Sequence, residues 1–112
     1  MVLKTLVLVA AVLCTSHDVA VRVDNQSPCA ARVQVLEGQK EIGRVEVGAI
    51  SKANLRVTVT DGFVPRFIVR PGAGCNVQEP WVVPSYAGPE ATRLVVQIGT
   101  FQQTSSVRAA PR

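Results

Sequence analysis

The single histidine of this chain has the widest chemical repertoire of its residues, and it closely follows an apolar run. If the chain is cut after Ser16, His17 presents a free α-amine beside its imidazole. Two nitrogen donors on one residue can chelate Cu(II), which favours nitrogen ligands in tetragonal geometry. A second histidine is lacking, so Asp18 is the one neighbouring candidate ligand. The alternative is that His17 merely begins a frayed terminus and binds no metal.

The cysteines predict one structural crosslink. Cys14 falls in a segment that we expect to be removed, which leaves Cys29 and Cys75. An even number of cysteines in an oxidising compartment implies a disulfide. The bridge would close a loop of several tens of residues, which the chain-entropy model values at roughly 4 kcal/mol. The alternative is a pair of unpaired buried thiols, and no C-x-x-C spacing suggests redox exchange.

Nothing in the sequence predicts catalysis. The acidic side chains fall on turns or on the solvent-facing sides of predicted strands, where a solvated charge is the default. Ser27, Ser51 and Ser85 lack the GxSxG setting of a nucleophile, and no glycine pattern is typical of a phosphate site. We therefore expect no enzymatic activity, no catalytic residues and no cofactor.

Two aromatic residues could bind a ligand. Trp81 and Tyr86 lie within the proline-rich stretch EPWVVPSYAGPE, and their rings could form a platform for a small ligand such as a sugar. The alternative, which we favour, is that Trp81 fills the core beside the disulfide. A chain with so few aromatic residues can hardly spare its one tryptophan for the surface.

The N-terminal segment resembles a secretory leader. Lys4 precedes the apolar run Leu6 to Leu13, and small or polar residues follow up to Ser16. This layout is typical of a signal peptide and predicts a helical leader over residues 1–16. The run is too short to span a bilayer as a helix. We expect a secreted or periplasmic protein. Lipidation at Cys14 is the minor alternative, because Leu13 stands where that processing needs a small residue.

The segments that must position these side chains alternate as strands do. Valine occupies 21 positions, and β-branched residues suit a pleated sheet. Seven short strands between turn residues predict an antiparallel β-sandwich over residues 17–101. The third strand needs a bulge at Gly43-Arg44 to keep its register, and the short strand at Trp81 lies between prolines, as at a sheet edge. Residues 102–112 are predicted to be a polar tail.

The charge balance leaves two interpretations open. The net charge is +4, and most of the basic residues are arginine. They could form a surface for anionic partners such as polysaccharide, nucleic acid or lipid headgroups. They could also be scattered one per strand on the solvent-facing side. We favour scattering, because no two basic residues are adjacent and no aromatic residues interleave them, as nucleic-acid stacking platforms require.

The segments VRVDN, ARVQVLEG, EIGRVEV and LRVTV, with a later Pro-Gly turn, resemble short exported bacterial β-sandwich domains of the Ig-like kind whose function is unknown. The resemblance implies fold and export and carries no functional residues. One departure is that Trp81 follows Cys75, whereas antibody-type domains place it between the cysteines.

We therefore expect a secreted or periplasmic non-enzymatic module that is protein-binding or structural in the cell envelope. Its contacts would use a sheet edge or face. The expected partner is another envelope or extracellular protein, with no nucleic acid and no stable membrane insertion after cleavage. The alternative is an accessory copper or small-ligand binder that uses His17 or the Trp81–Tyr86 segment.

Overall fold

The computed structural model describes residues 15–110, which form strands and loops with one short 3-10 helix. The strands are β1 (Ser16–Asn25), β2 (Ala31–Glu37), β3 (Lys40–Val47), β4 (Ser51–Thr60), β5 (Arg66–Pro71), β6 (Trp81–Val82), β7 (Arg93–Ile98) and β8 (Ser106–Ala109). The predicted all-β fold is confirmed. The predicted leader helix falls largely on residues 1–14, outside the described residues. No helix among residues 15–110 is long and apolar enough to cross a membrane.

The strands form two sheets of four. The first sheet has the order β4-β1-β7-β8, and the second has the order β3-β2-β5-β6. The prediction of a wholly antiparallel arrangement is wrong in one place, because β7 runs parallel to β1. The alternation of apolar residues shows which side of a strand is buried, but it is the same for parallel and antiparallel strands. The sequence pattern therefore could not show the direction of β7.

The predicted number of seven strands is also wrong, because β8 lies in the segment that we expected to be a polar tail. Residues Gln102–Thr104 form the 3-10 helix, and Ser106–Ala109 pair with β7. Val107 is the one fully buried hydrophobic side chain of β8, so the strand lacks the repeated apolar alternation that would reveal it. Backbone pairing and one apolar anchor hold it to the sheet.

One hydrophobic core lies between the sheets. Both sheets contribute their inward-facing residues to it, and most of these are valine. Phe67 on β5 is the largest of the fully buried side chains. Because β-branched residues lose little rotamer freedom on a pleated surface, facing rows of valine suit this arrangement.

The bulge predicted in the third strand exists, one residue away from its predicted place. Val35 pairs with Gly43 and Leu36 pairs with Glu41, so Ile42 is the extra residue on β3. Gly43 itself serves a different purpose. A Cβ at Gly43 would lie 2.6 Å from Cγ1 of Val57, which shows that β3 and β4 approach closely here.

The chain covers parts of both pairs of sheet edges. On one side β3 lies against β4, and the Glu37 carboxylate accepts a hydrogen bond of 2.6 Å from the backbone N–H of Thr60. On the other side the segment after β6 crosses to β8, where Val107 donates its N–H to Pro84 and accepts a hydrogen bond from the N–H of Tyr86. As predicted, the strand at Trp81 lies at an edge, next to β5.

Candidate functional site

His17 lies within the first sheet and not in a frayed terminus. It is the second residue of β1 and pairs with Val59 on β4. Its Nδ1 lies 2.6 Å from Oδ1 of Asp61, whose other oxygen accepts a hydrogen bond from the Thr15 hydroxyl. These hydrogen bonds, from Thr15 first and then from His17, lower the pKa of Asp61 below its ordinary value of 3.8. Nε2 of His17 is buried and has no partner among the described residues.

The geometry separates His17 from Asp18, the neighbouring ligand of the copper hypothesis. Successive residues of a strand face opposite sides of the sheet, so Asp18 lies on the other face from His17. There Asp18 accepts a hydrogen bond from the Thr58 hydroxyl at 3.2 Å. Within residues 15–110, no group of three or more His, Cys, Asp or Glu side chains could hold a metal. A copper site at His17 remains a prediction, and it would have to displace Asp61 from Nδ1.

The contacts at the start of β1 would be affected by cleavage of the predicted leader. Ser16 pairs with Thr60, and the carbonyl of Thr15 accepts the backbone N–H of Asp61. Cleavage after Ser16 would therefore remove Thr15, with its carbonyl and with the hydroxyl that binds the Asp61 carboxylate. A cut before Thr15 would preserve both contacts.

The predicted disulfide is present. Cys29 and Cys75 are bonded, their Cα atoms lie 5.6 Å apart, and 46 positions separate them in sequence. Cys29 precedes β2 and Cys75 follows β5, so the bridge joins the loops at one end of two paired strands.

A buried polar cluster supports this end of the molecule. The Asn25 side chain, 1 % exposed, donates hydrogen bonds of 2.9 Å to the carbonyls of Cys29 and Gly48. Its oxygen accepts hydrogen bonds from the backbone N–H and the hydroxyl of Ser27. The amide thus uses both its donors and its acceptor. Its position at the end of the segment VRVDN gave no sign of this role.

The two aromatic candidates attach to different sheets. Trp81 is half-buried, pairs with Val69, and lines a cavity of about 120 Å³ together with both bridged cysteines. Its Nε1 is buried and lacks a hydrogen-bond partner among residues 15–110. Tyr86 is 72 % exposed and bonds through its N–H to β8 of the first sheet. The Trp81 ring therefore packs at the disulfide, whereas the Tyr86 ring is free to meet a ligand.

The structure brings together residues that we expected to be scattered. The outer face of the first sheet carries one arginine on each strand, Arg56 on β4, Arg22 on β1, Arg93 on β7 and Arg108 on β8. We call this surface the arginine face. Arg56 and Arg93 lie on either side of Ala20, and Arg22 lies in the next row. Three of the four, Arg22, Arg56 and Arg93, line an open depression of about 700 Å³.

These arginines have few partners within the chain. All four are exposed, and none forms an ion pair with a carboxylate of the described residues. The guanidinium of Arg108 lies 5.8 Å from the centre of the Tyr86 ring, which is within the range of a cation–π contact. The charge of this surface is therefore available to a partner.

The outer face of the second sheet provides a contrast. It also carries four arginines, but each has a partner in the chain. Arg32 contacts Glu46 at 2.8 Å and Arg44 contacts Glu41 at 3.4 Å. Arg66 donates to the carbonyl of Gly38, and Arg70 donates to the side chain of Gln34.

The arginine face could not be found by looking for runs of basic residues. Its members stand far apart in the sequence, and strand pairing alone brings them into neighbouring positions. The sequence carried one weaker signal, namely that each arginine lies on the predicted solvent-facing side of its own strand.

Neither a protein-family model, nor a curated protein, nor a solved structure matches this chain.

Proposed function

We propose that this protein is an exported, non-enzymatic binding module of the bacterial cell envelope, and that it contacts its partner through the arginine face. The observation that carries the proposal is the difference between the two outer faces. On the second sheet two of the four arginines, Arg32 and Arg44, are paired with carboxylates, whereas on the first sheet none of the four is. A surface that keeps unpaired cations clustered is suited to an anionic partner.

The disulfide supports export. Disulfides persist in oxidising compartments such as the periplasm and the extracellular space. The bond between Cys29 and Cys75 is compatible with that location, and the leader pattern of residues 1–16 agrees with it. Attachment through a lipid on Cys14 is the minor alternative.

The strand pairings support an Ig-like fold, as the sequence resemblance implies. The pairing of β1 with β4, and the order β3-β2-β5-β6, follow the B–E and C′–C–F–G pairings of an Ig-like sandwich. We infer that β7 occupies the place beside β1 that an Ig-like domain gives to its first strand. Its direction, parallel to β1, departs from that pattern.

The expected use of a sheet edge receives less support than the use of a face. Edge strands attract partners when their N–H and C=O groups are unpaired. Here the chain's own segments lie along parts of these edges, at Thr60 and at Val107. The outer face of the first sheet has no such cover among the described residues.

Retention in the envelope tests this proposal. The full chain is expressed in a bacterium, and its amounts in the envelope fraction and in the soluble exported fraction are measured. We compare the wild type, the variant R22Q/R56Q/R93Q and the variant R44Q/R66Q/R70Q, which loses the same charge from the second sheet. We expect only the first variant to be released from the envelope. A wild-type protein that is never retained, or equal release of both variants, would contradict the proposal.

A further inference from the structure

We infer that the arginine face binds an acidic polysaccharide, whose carboxylate groups meet the guanidinium groups of Arg22, Arg56, Arg93 and Arg108. This inference rests on the proposed function and names the partner of the same surface. It follows from the balance of charge on the face, from its shape, and from the side chains that lie between the arginines.

The charge of the face is positive in its middle. It carries five cations, Arg22, Lys52, Arg56, Arg93 and Arg108, and two carboxylates, Asp18 and Asp24. Asp18 and Asp24 lie in the outer rows, and Asp24 faces Lys52. The arginines occupy the two rows between them. A negatively charged polymer is therefore attracted to the middle of the sheet.

The arrangement suits an extended polymer. Neighbouring strands lie about 4.8 Å apart, so four arginines on four adjacent strands span roughly 15 Å. The depression around Ala20 runs between Arg56 and Arg93, with Arg22 beside it. Successive charges along a polymer that crosses the strands can each meet a guanidinium group, which binds a carboxylate through two parallel hydrogen bonds.

The side chains between the arginines favour a polysaccharide over other polyanions. Ala20 and Val95 are small and half-buried, so the face lacks the large apolar anchor that a protein interface centres on. No aromatic rings alternate with the arginines for bases to stack on. One exposed ring, that of Tyr86, lies at the end of the row beside Arg108, where it could pack against a sugar.

Binding measured with defined polymers tests the inference. The exported protein is titrated with polygalacturonate at low and moderate salt. The comparison ligands are neutral dextran, dextran sulfate, polyglutamate, a single-stranded oligonucleotide and vesicles containing anionic lipid. We expect the tightest binding to polygalacturonate and none to neutral dextran. Loss of three charge-assisted contacts in R22Q/R56Q/R93Q should weaken binding by about tenfold or more. The Tyr86→Ala variant should weaken it less.

The matched variant R44Q/R66Q/R70Q separates a site from general attraction. It should bind polygalacturonate as the wild type does. Equal weakening of both triple variants would overturn the inference, as would equal or tighter binding of any of the other polyanions. If retention in the envelope depends on the arginine face while polygalacturonate does not bind, the polysaccharide assignment fails and the proposed function stands.

Discussion

Nδ1 of His17 lies 2.6 Å from Oδ1 of Asp61, and this contact joins the start of β1 to the turn that follows β4. The Thr15 hydroxyl binds the other oxygen of the same carboxylate. The one histidine of the chain is therefore part of a polar clamp at the N-terminal end of the domain.

The clamp predicts how stability changes in acid. Because the folded-state pKa of Asp61 is lowered from 3.8, its carboxylate stabilises the fold at pH values above about 4. That contribution is lost as the pH falls through the folded-state pKa. In the Asp61→Asn variant we expect a smaller loss of stability between neutral pH and pH values below 4, measured as the midpoint of thermal unfolding against pH. Parallel curves for the two proteins would contradict this.

The close approach of β3 and β4 predicts that Gly43→Ala is destabilising. The added methyl group would meet Val57 at 2.6 Å and Leu55 at 3.2 Å in a packed region. Overpacking of this kind costs about 1–3 kcal/mol in the free energy of unfolding, measurable with denaturant. Gly48→Ala is the control, since its nearest atom would lie at an ordinary 3.4 Å. Equal stability of the two variants would refute the close approach.

The buried amide of Asn25 predicts a large cost for its removal. Asn25→Ala would leave the carbonyl of Gly48 and the backbone N–H of Ser27 without their partner, while the Ser27 hydroxyl would keep its bond to the Cys29 carbonyl. We expect the free energy of unfolding to fall by about 3 kcal/mol. The exposed Asn54 is the control, and Asn54→Ala should change it by less than about 0.5 kcal/mol. A loss at Asn25 as small as that at Asn54 would show that the amide cluster contributes little.

The disulfide predicts the largest effect. Its 46-residue separation corresponds to roughly 4 kcal/mol of lost loop entropy in the unfolded chain. C29S/C75S should lower the free energy of unfolding by about that amount, and reduction of the wild type should have the same effect. Denaturant curves with and without reductant measure both. Unchanged curves would mean that the bond adds nothing to stability.

Strand positions could be predicted because each valine-rich strand has one buried side, as in Val19, Val21 and Val23 of β1. The disulfide followed from counting the cysteines outside the predicted leader. A polar strand with a single buried hydrophobic side chain, Val107, could not be recognised in this way. Nor could the direction of β7, since the pattern of buried residues is the same whichever way a strand runs.

The arginine face shows a further limit. Arg22 and Arg93 are distant in sequence, and they become near neighbours because β7 pairs with β1 in parallel. The one-per-strand spacing, which favoured a scattered and solvated set, is the spacing that lines them up across the sheet. Sequence pattern gives the side of the strand on which each arginine lies, and the pairing register decides which arginines meet.

The most direct test of the arginine face as a binding surface is a map of backbone amide shifts by NMR when polygalacturonate is added. We predict that the largest changes lie on the first sheet at Arg22, Arg56, Arg93 and Arg108, and that they shrink as salt is added. Changes centred on the second sheet or on the cavity beside Trp81, with the first sheet unaffected, would contradict the account.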